Sequence, residues 1–266
     1  MRSKTTGLVL LNTLSFVIVL IINYVTATPM LNGITVAEIS HKYDTLFAPA
    51  DYAFIIWIVI YLLCTGFVIY EWILLKNDSK QYIQKTGIWL TSGNIANALW
   101  CYCWVHEQLG WCVVLIIFQL ITLIVLTIKL RLELEDEPVR TIFFVWWPIS
   151  FYLGWLIVAT VACISSWLVF LGWNGVGISV DRWAVTMIII AFVIYLFLNQ
   201  TRNLRETSTV GIWAFIAIAV RQWNGHKDIA VASIIAAVIL SILITTHVLK
   251  YKEYTPFAKI ARGEWK

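Results

Sequence analysis

Asn97, Trp100 and Trp104 stand at i, i+3 and i+7, and Asn94 joins the same helical stripe. Tyr152, Trp155, Ala159 and Ala162 repeat that spacing at i, i+3, i+7 and i+10. Trp57 and Tyr61 lie one helical turn apart. Such residues do not make or break bonds. They supply aromatic walls, a few amides, and small positions that let a backbone or a flat molecule approach closely. A cavity of that make-up suits a large, flat, mostly apolar ligand. The same residues serve equally well as interhelical packing and hydrogen-bond glue, and composition alone does not choose between the two.

Groups for bond-making chemistry are thinly spread. The chain has no Walker loop, no GxSxG elbow and no HExxH. Its four histidines are scattered; His41 and His106 could meet on one face with Glu38 and Glu107, where ordinary interfacial polarity is the reading their spacing favours over a metal site. The five cysteines lie in or beside apolar segments without a CxxC pair and read as small apolar residues. No span carries a central lysine, arginine or carboxylate of the kind proton pumps and ion-coupled transporters keep in the membrane. Polarity at span centres is neutral instead: Asn94, Asn97, Gln119, Thr160 and Ser165.

The elements that must hold these stripes are membrane helices. Of 266 residues, 61% are hydrophobic and 13% charged, against about 25% charged in a soluble domain. In water such a chain would expose large apolar patches; in a bilayer they face a matching solvent. A crossing needs about 20 apolar residues. Eight are predicted, over 7–27, 51–74, 86–106, 110–129, 142–168, 182–199, 208–222 and 228–249, and the seventh is short enough to be re-entrant. Charge favours eight crossings. They put 15 of the 19 Lys and Arg on the side of both termini, leaving Lys42, Arg182, Arg221 and Lys227 opposite. The positive-inside rule makes that side cytoplasmic. Two glycosylation-type sequons, at Asn77 and Asn199, then lie on the cytoplasmic side and stay unmodified. The first apolar run is long for a signal sequence and reads as a retained helix. The net charge of +4 sits in loops and tails and forms no nucleic-acid footprint.

Of fifteen tryptophans, Trp72, Trp89, Trp111, Trp173, Trp183, Trp213 and Trp223 fall at span ends as interfacial anchors. Trp57, Trp100 and Trp155 lie inside spans two, three and five.

At these residues the chain resembles the tryptophan-rich sensory protein family, also called the translocator protein (TspO) or peripheral benzodiazepine receptor family. The family's proline-led W-x-x-x-Y stretch is matched by Pro49, Trp57 and Tyr61 in FAPADYAFIIWIVIY. Its L-N-x-x-W is matched by Asn97 and Trp100, and its G-W step by Gly110 and Trp111. Its fifth-helix motif is matched by Tyr152, Trp155, Ala159 and Thr160 in PISFYLGWLIVAT. The chain departs from the pattern at Ala48, Asp51, Phe54-Ile55 and Cys163, and adds three spans over 182–249 that the five-helix members lack.

The resemblance implies an all-α polytopic bundle of about eight transmembrane helices. Residues 1–170 would form a TspO-like five-helix bundle, 171–250 three additional helices and 251–266 a basic cytoplasmic tail. It implies a tetrapyrrole (porphyrin) or a sterol-like molecule bound by Pro49, Trp57, Tyr61, Asn97, Trp100, Trp111, Tyr152, Trp155 and Ala159, for sensing, transport or scavenging in the plasma (inner) membrane. The family residues matching Trp57 and Trp155 are implicated in light-dependent porphyrin breakdown. The loop 28–50 would lid the cavity, with Pro49 in the first turn of the following helix and Asp51 complementing its positive end. Two rival readings stand beside this one: a transporter or permease using all eight helices, and a membrane scaffold with a filled core. The last spans are small and β-branched, suited either to covering the bundle or to an oligomer contact such as a homodimer. Membrane lipid is the other expected partner.

Overall fold

The structure, a computed structural model, describes residues 2–76, 80–173 and 175–265. The sequon at Asn77 lies outside the described residues. Among them there is no strand. The helices are α1 Arg2–Ala27, α2 Val36–Lys42, α3 Ile56–Lys76, α4 Gln81–Thr86, α5 Trp89–Val105, α6 Leu109–Lys129, α7 Val139–Thr141, α8 Trp147–Phe170, α9 Val180–Arg202, α10 Arg205–Gln222, α11 Lys227–Lys250 and α12 Pro256–Ala261. A 3-10 turn, Asp51–Ile55, leads into α3, and a π-helical turn, Ile142–Trp146, leads into α8.

Six stretches are long and apolar enough to cross a membrane: Lys4–Ala27, Asp51–Lys76, Leu109–Lys129, Val139–Phe170, Val180–Arg202 and Lys227–Lys250. The chain is therefore an all-α membrane protein. The other two expected crossings, α5 and α10, are helices too, but of 17 and 18 residues. α5 starts late because Gly87 takes a left-handed φ of 54° and separates it from α4. α10 carries Arg205 and Glu206 in its first turn and Arg221 in its last, which lowers its mean hydropathy.

Two local expectations are corrected. The segment 28–50 is not all loop: Thr35 and Glu38 form a reciprocal capping box that starts α2. Pro49 does not sit in a helical first turn. It precedes Ala50, the N-cap of the 3-10 turn, and Asp51 is the first residue of that turn.

The chain divides into two compact units. The first comprises Met1–Thr45, Val68–Leu130 and Ala159–Gly177; the second comprises Leu46–Phe67, Arg131–Val158 and Ile178–Lys266.

In the first unit, α1 and α5 are joined by a ladder of buried polar pairs. Thr91 Oγ1 donates to Asn12 Oδ1 (2.7 Å), Asn94 Nδ2 to Ser15 Oγ (3.0 Å) and Asn23 Nδ2 to Asn97 Oδ1 (2.9 Å). The partners advance together, so the helices run parallel, as two crossings with one between them must. Amides placed in an apolar medium need partners, and this seam supplies them. It also holds a group that sequence reasoning missed. Glu71, in the last part of α3 and 1% exposed, accepts from Asn12 Nδ2 at both carboxyl oxygens, each at 3.1 Å. Five residues from the end of α3, Glu71 reads in sequence as a span-end residue. Replacing Asn12 with Leu strips Glu71 and Thr91 of their partner. It is expected to cost about 1–3 kcal/mol, read as a lower unfolding midpoint in detergent, and adding Glu71→Met should recover part of that loss.

In the second unit, α8, α9 and α10 meet at two glycines. The buried Tyr195 hydroxyl donates to Gly154 O (2.6 Å), and its ring lies where a Cβ on Gly211 would be, 2.7 Å from the nearest ring atom. Gly154 itself faces Thr207 O at 2.7 Å from its Cβ position. The ends of α10 lie with different segments. Arg205 at its start pairs with Glu133, before α8. Near its other end Ala217 O accepts from Ala50 N (3.1 Å) and Arg221 Nη1 donates to Pro49 O (3.1 Å), ahead of α3. α10 is thus one continuous helix whose two ends meet different segments, and is not a hairpin.

Candidate functional site

The W-x-x-x-Y spacing does locally what its periodicity demands. Trp57 and Tyr61, on successive turns of α3, stack with ring centroids 5.3 Å apart and planes 25° apart. The i, i+3 pair on α8 meets the same tryptophan: Tyr152 approaches Trp57 edge-on at 5.7 Å and Trp155 at 6.4 Å. Phe54, where the family carries a glycine, adds an edge-to-face contact with Trp155 at 5.8 Å. Offset and T-shaped pairs at these distances are the favoured aromatic arrangements. Tyr152 and Trp155 are buried, whereas Trp57 and Tyr61 are half-buried.

The approach to this cluster is fixed by α10. Besides the bonds at Pro49 and Ala50, Gln222 Nε2 donates to Leu46 O (3.0 Å) and Trp213 Nε1 donates to Ala53 O (3.1 Å). Tyr52 packs edge-on against Trp213 at 5.4 Å. Trp213, expected as an interfacial anchor, thus ties the 3-10 turn to α10. The residue pattern gave no sign of this, because every acceptor is a backbone carbonyl.

Five of the nine expected site residues are therefore in one unit: Pro49, Trp57, Tyr61, Tyr152 and Trp155. Asn97, Trp100, Trp111 and Ala159 belong to the other. There Asn97 is 2% exposed and occupied by Asn23, while Trp100 stacks on Trp104 at 4.9 Å. Trp104 Nε1 donates to Val36 O (3.1 Å), which fastens α2 to α5. Trp111 is 64% exposed, as a lipid-interface residue is, and Ala159 is half-buried on α8. In this unit the polar and aromatic stripe of α5 acts as helix-to-helix glue.

Three of the four residues considered for an outer polar site, Glu38, His106 and Glu107, take separate partners. Glu38 caps α2, and His106 Nδ1 faces Tyr102 O (2.8 Å). Glu107 accepts from Lys42 Nζ (2.6 Å) and from the Tyr43 hydroxyl. The Lys42 and Tyr43 hydrogen bonds hold the Glu107 carboxyl below its usual range. Among the described residues no three His, Cys, Asp or Glu side chains are grouped as metal ligands.

A further apolar groove of about 260 Å³ opens in the second unit beside Gly66, lined by Leu62, Phe144 and Trp265 among others. It is smaller than the roughly 300–1,000 Å³ of typical small-molecule pockets. The missing side chain at Gly66 helps to make it, since a Cβ there would lie 3.1 Å from the Phe144 ring.

Neither a curated protein nor a solved structure matches the chain. A family described as TSPO-like protein matches residues 9–246, from within α1 to the last turn of α11, so the motif residues on α3, α5 and α8 fall inside one match with α9 and α10. The aromatic cluster on α3 and α8 therefore sits in a protein that belongs to the TSPO-like family.

Proposed function

We propose that the protein is a membrane receptor or carrier that binds a flat hydrophobic molecule, a tetrapyrrole or a sterol-like compound, against the wall formed by Trp57, Tyr61, Tyr152 and Trp155. The observation that carries this reading is the position of Trp57. It contacts three other aromatic rings on α3 and α8, yet stays half-buried. Buried partners fix the ring, and a rigid aromatic face binds a planar ligand at low entropic cost. Family membership points the same way. The role would be sensing, transport or scavenging. The asymmetry of Lys and Arg supports placing both termini in the cytoplasm, at the plasma (inner) membrane.

The test is a titration of the detergent-solubilised protein with protoporphyrin IX, following tryptophan fluorescence corrected for inner-filter absorption. Saturable quenching in the micromolar range is expected. Trp57→Phe combined with Trp155→Phe should weaken it by about tenfold or more, the loss of two aromatic contacts of about 0.5–1.5 kcal/mol each. Trp111→Phe should leave affinity unchanged. Quenching no stronger than that of an unrelated eight-helix membrane protein would overturn the reading.

A further inference from the structure

A second constellation lies at the other end of α10, away from the aromatic cluster. Glu133, in the turn after α6, has a left-handed φ of 57° and a side chain 9% exposed. Arg205 Nη2 donates to Glu133 Oε2 at 3.0 Å from a side chain 12% exposed. Beside Arg205 stands Glu206. Its carboxyl lies close to its own backbone N–H and to the Trp147 side chain, while Oε2 is buried without a partner. Two more groups bear on the pair, and the charge of Lys259 opposes the rise at Glu133. Lys259 of α12, 3% exposed, donates to Asp136 Oδ1 and to Glu137 O (2.7 Å). His247 of α11 faces Arg205, and its Nδ1 has no hydrogen-bond partner.

Charge counting makes this arrangement incomplete. Two buried carboxyls share one guanidinium, and Lys259 is committed to Asp136. A second ionised carboxylate here would be an uncompensated charge in a low-dielectric site, which is costly. Its unpartnered oxygen is where the compensation is missing.

We infer that Glu133 and Glu206 form a proton-binding site that holds one proton between them beside Arg205, and that loss of this proton loosens the 131–138 segment from the start of α10. The electrostatics agree in direction. Burial first, and then the neighbouring Glu206 carboxyl, push Glu133 up to about 8 against the pull of Arg205, and burial raises Glu206 as well. Carboxyl pairs that share a site behave in this way, one proton being retained by the pair. The sign for stability follows. Between the ordinary carboxylate range, near 4.5, and about 8, the folded chain binds a proton that the unfolded chain has lost. Stability from this pair is therefore greatest on the acid side and falls as pH rises through that window.

The test uses the full chain in lipid nanodiscs. Infrared spectra of the protonated-carboxyl stretch, recorded from about pH 6 to 9, are compared for the wild type, Glu133→Gln, Glu206→Gln and, as control, the exposed Asp228→Asn. Differences between wild type and variant isolate the pair from other buried carboxyls such as Glu71. The expected result is a band lost near pH 8 in the wild type. Either Gln variant should lower its midpoint by about one pH unit or more, because the remaining carboxyl then faces Arg205 alone. Asp228→Asn should leave it in place. Hydrogen exchange of 131–138, corrected for intrinsic rates, should rise across the same window in the wild type and stay flat in both Gln variants. An unchanged midpoint in both Gln variants would overturn the proposal, as would a midpoint that moves with sodium or potassium but not with choline, which would make the occupant a metal cation.

Discussion

Arg205→Ala is expected to be the most damaging single truncation in the second unit. Among the described residues Arg205 makes the ion pair with Glu133, it adjoins Glu206 in sequence, and that pair is almost wholly buried. Removing one member of a buried pair costs about 3–5 kcal/mol, because the charge left behind has no compensation. The loss should depend on pH. Above about pH 8, where the variant would leave two carboxylates facing each other, it should approach the full value. Toward acid both carboxyls can take protons and the cost shrinks. Thermal unfolding in detergent, followed by circular dichroism at two pH values, measures this. A loss equal at both would show that Arg205 acts by packing its stem and not by its charge.

The second large effect is at Gly154. A Cβ there would lie 2.7 Å from Thr207 O, 2.8 Å from Val210 Cβ and 3.2 Å from Thr207 Cα. Two of these atoms are backbone and cannot swing aside, so α8 and α10 must separate. Separation would strain the Thr207 Oγ1 bond to Ser150 O (3.0 Å). It would also disturb the Tyr195 bond to Gly154 O. Gly154→Ala should cost about 1–3 kcal/mol, the usual range for overpacking, and Gly154→Val more. Gly7 has nothing within 4 Å of its Cβ position, and Gly7→Ala serves as the neutral comparison. If Gly154→Ala melts with the wild type, α8 and α10 have room to spare and the close contact carries no energy.

How far the sequence could be read depended on the kind of interaction involved. Long apolar runs are visible without any partner, so α1, α3, α6, α8, α9 and α11 could be placed from hydropathy. α5 and α10 needed loop charge, because their polar residues dilute the same signal. The stacked pair Trp57–Tyr61 was legible because both rings are on one helix at i, i+4. The approach of Tyr152 and Trp155 to Trp57 was expected from the family resemblance, since no spacing relates α3 to α8. Glu71, Glu133 and Glu206 were passed over for one reason: each lies near the end of an apolar run, where a carboxylate normally meets water. Burial there is a tertiary property, set by Asn12 for Glu71 and by Arg205 and Trp147 for the other two. The hydrogen bonds that Trp213 Nε1, Arg221 Nη1 and Gln222 Nε2 donate to the 46–53 segment end on backbone carbonyls, which every residue owns, so the residue types there could not announce them. At Ala159 and Ala162 the sequence pointed to small residues for close approach, but the tightest approach on α8 described here is at Gly154.

The π-helical turn at Ile142–Trp146 changes how α8 must be aligned with its relatives. A π turn places one more residue in the circuit than an α turn, and each α-helical residue advances the helix by about 100°. Residues ahead of it, such as Arg140, are therefore out of phase with Tyr152 and Trp155 on a single helical wheel. A relative with an unbroken α-helix here should align with a one-residue gap inside 142–146, its later positions keeping their register. The same arithmetic makes the turn a rotary joint. Deleting one residue within it should restore continuous α-helix and turn α7 by about a quarter of a circle relative to α8, leaving the aromatic face in place.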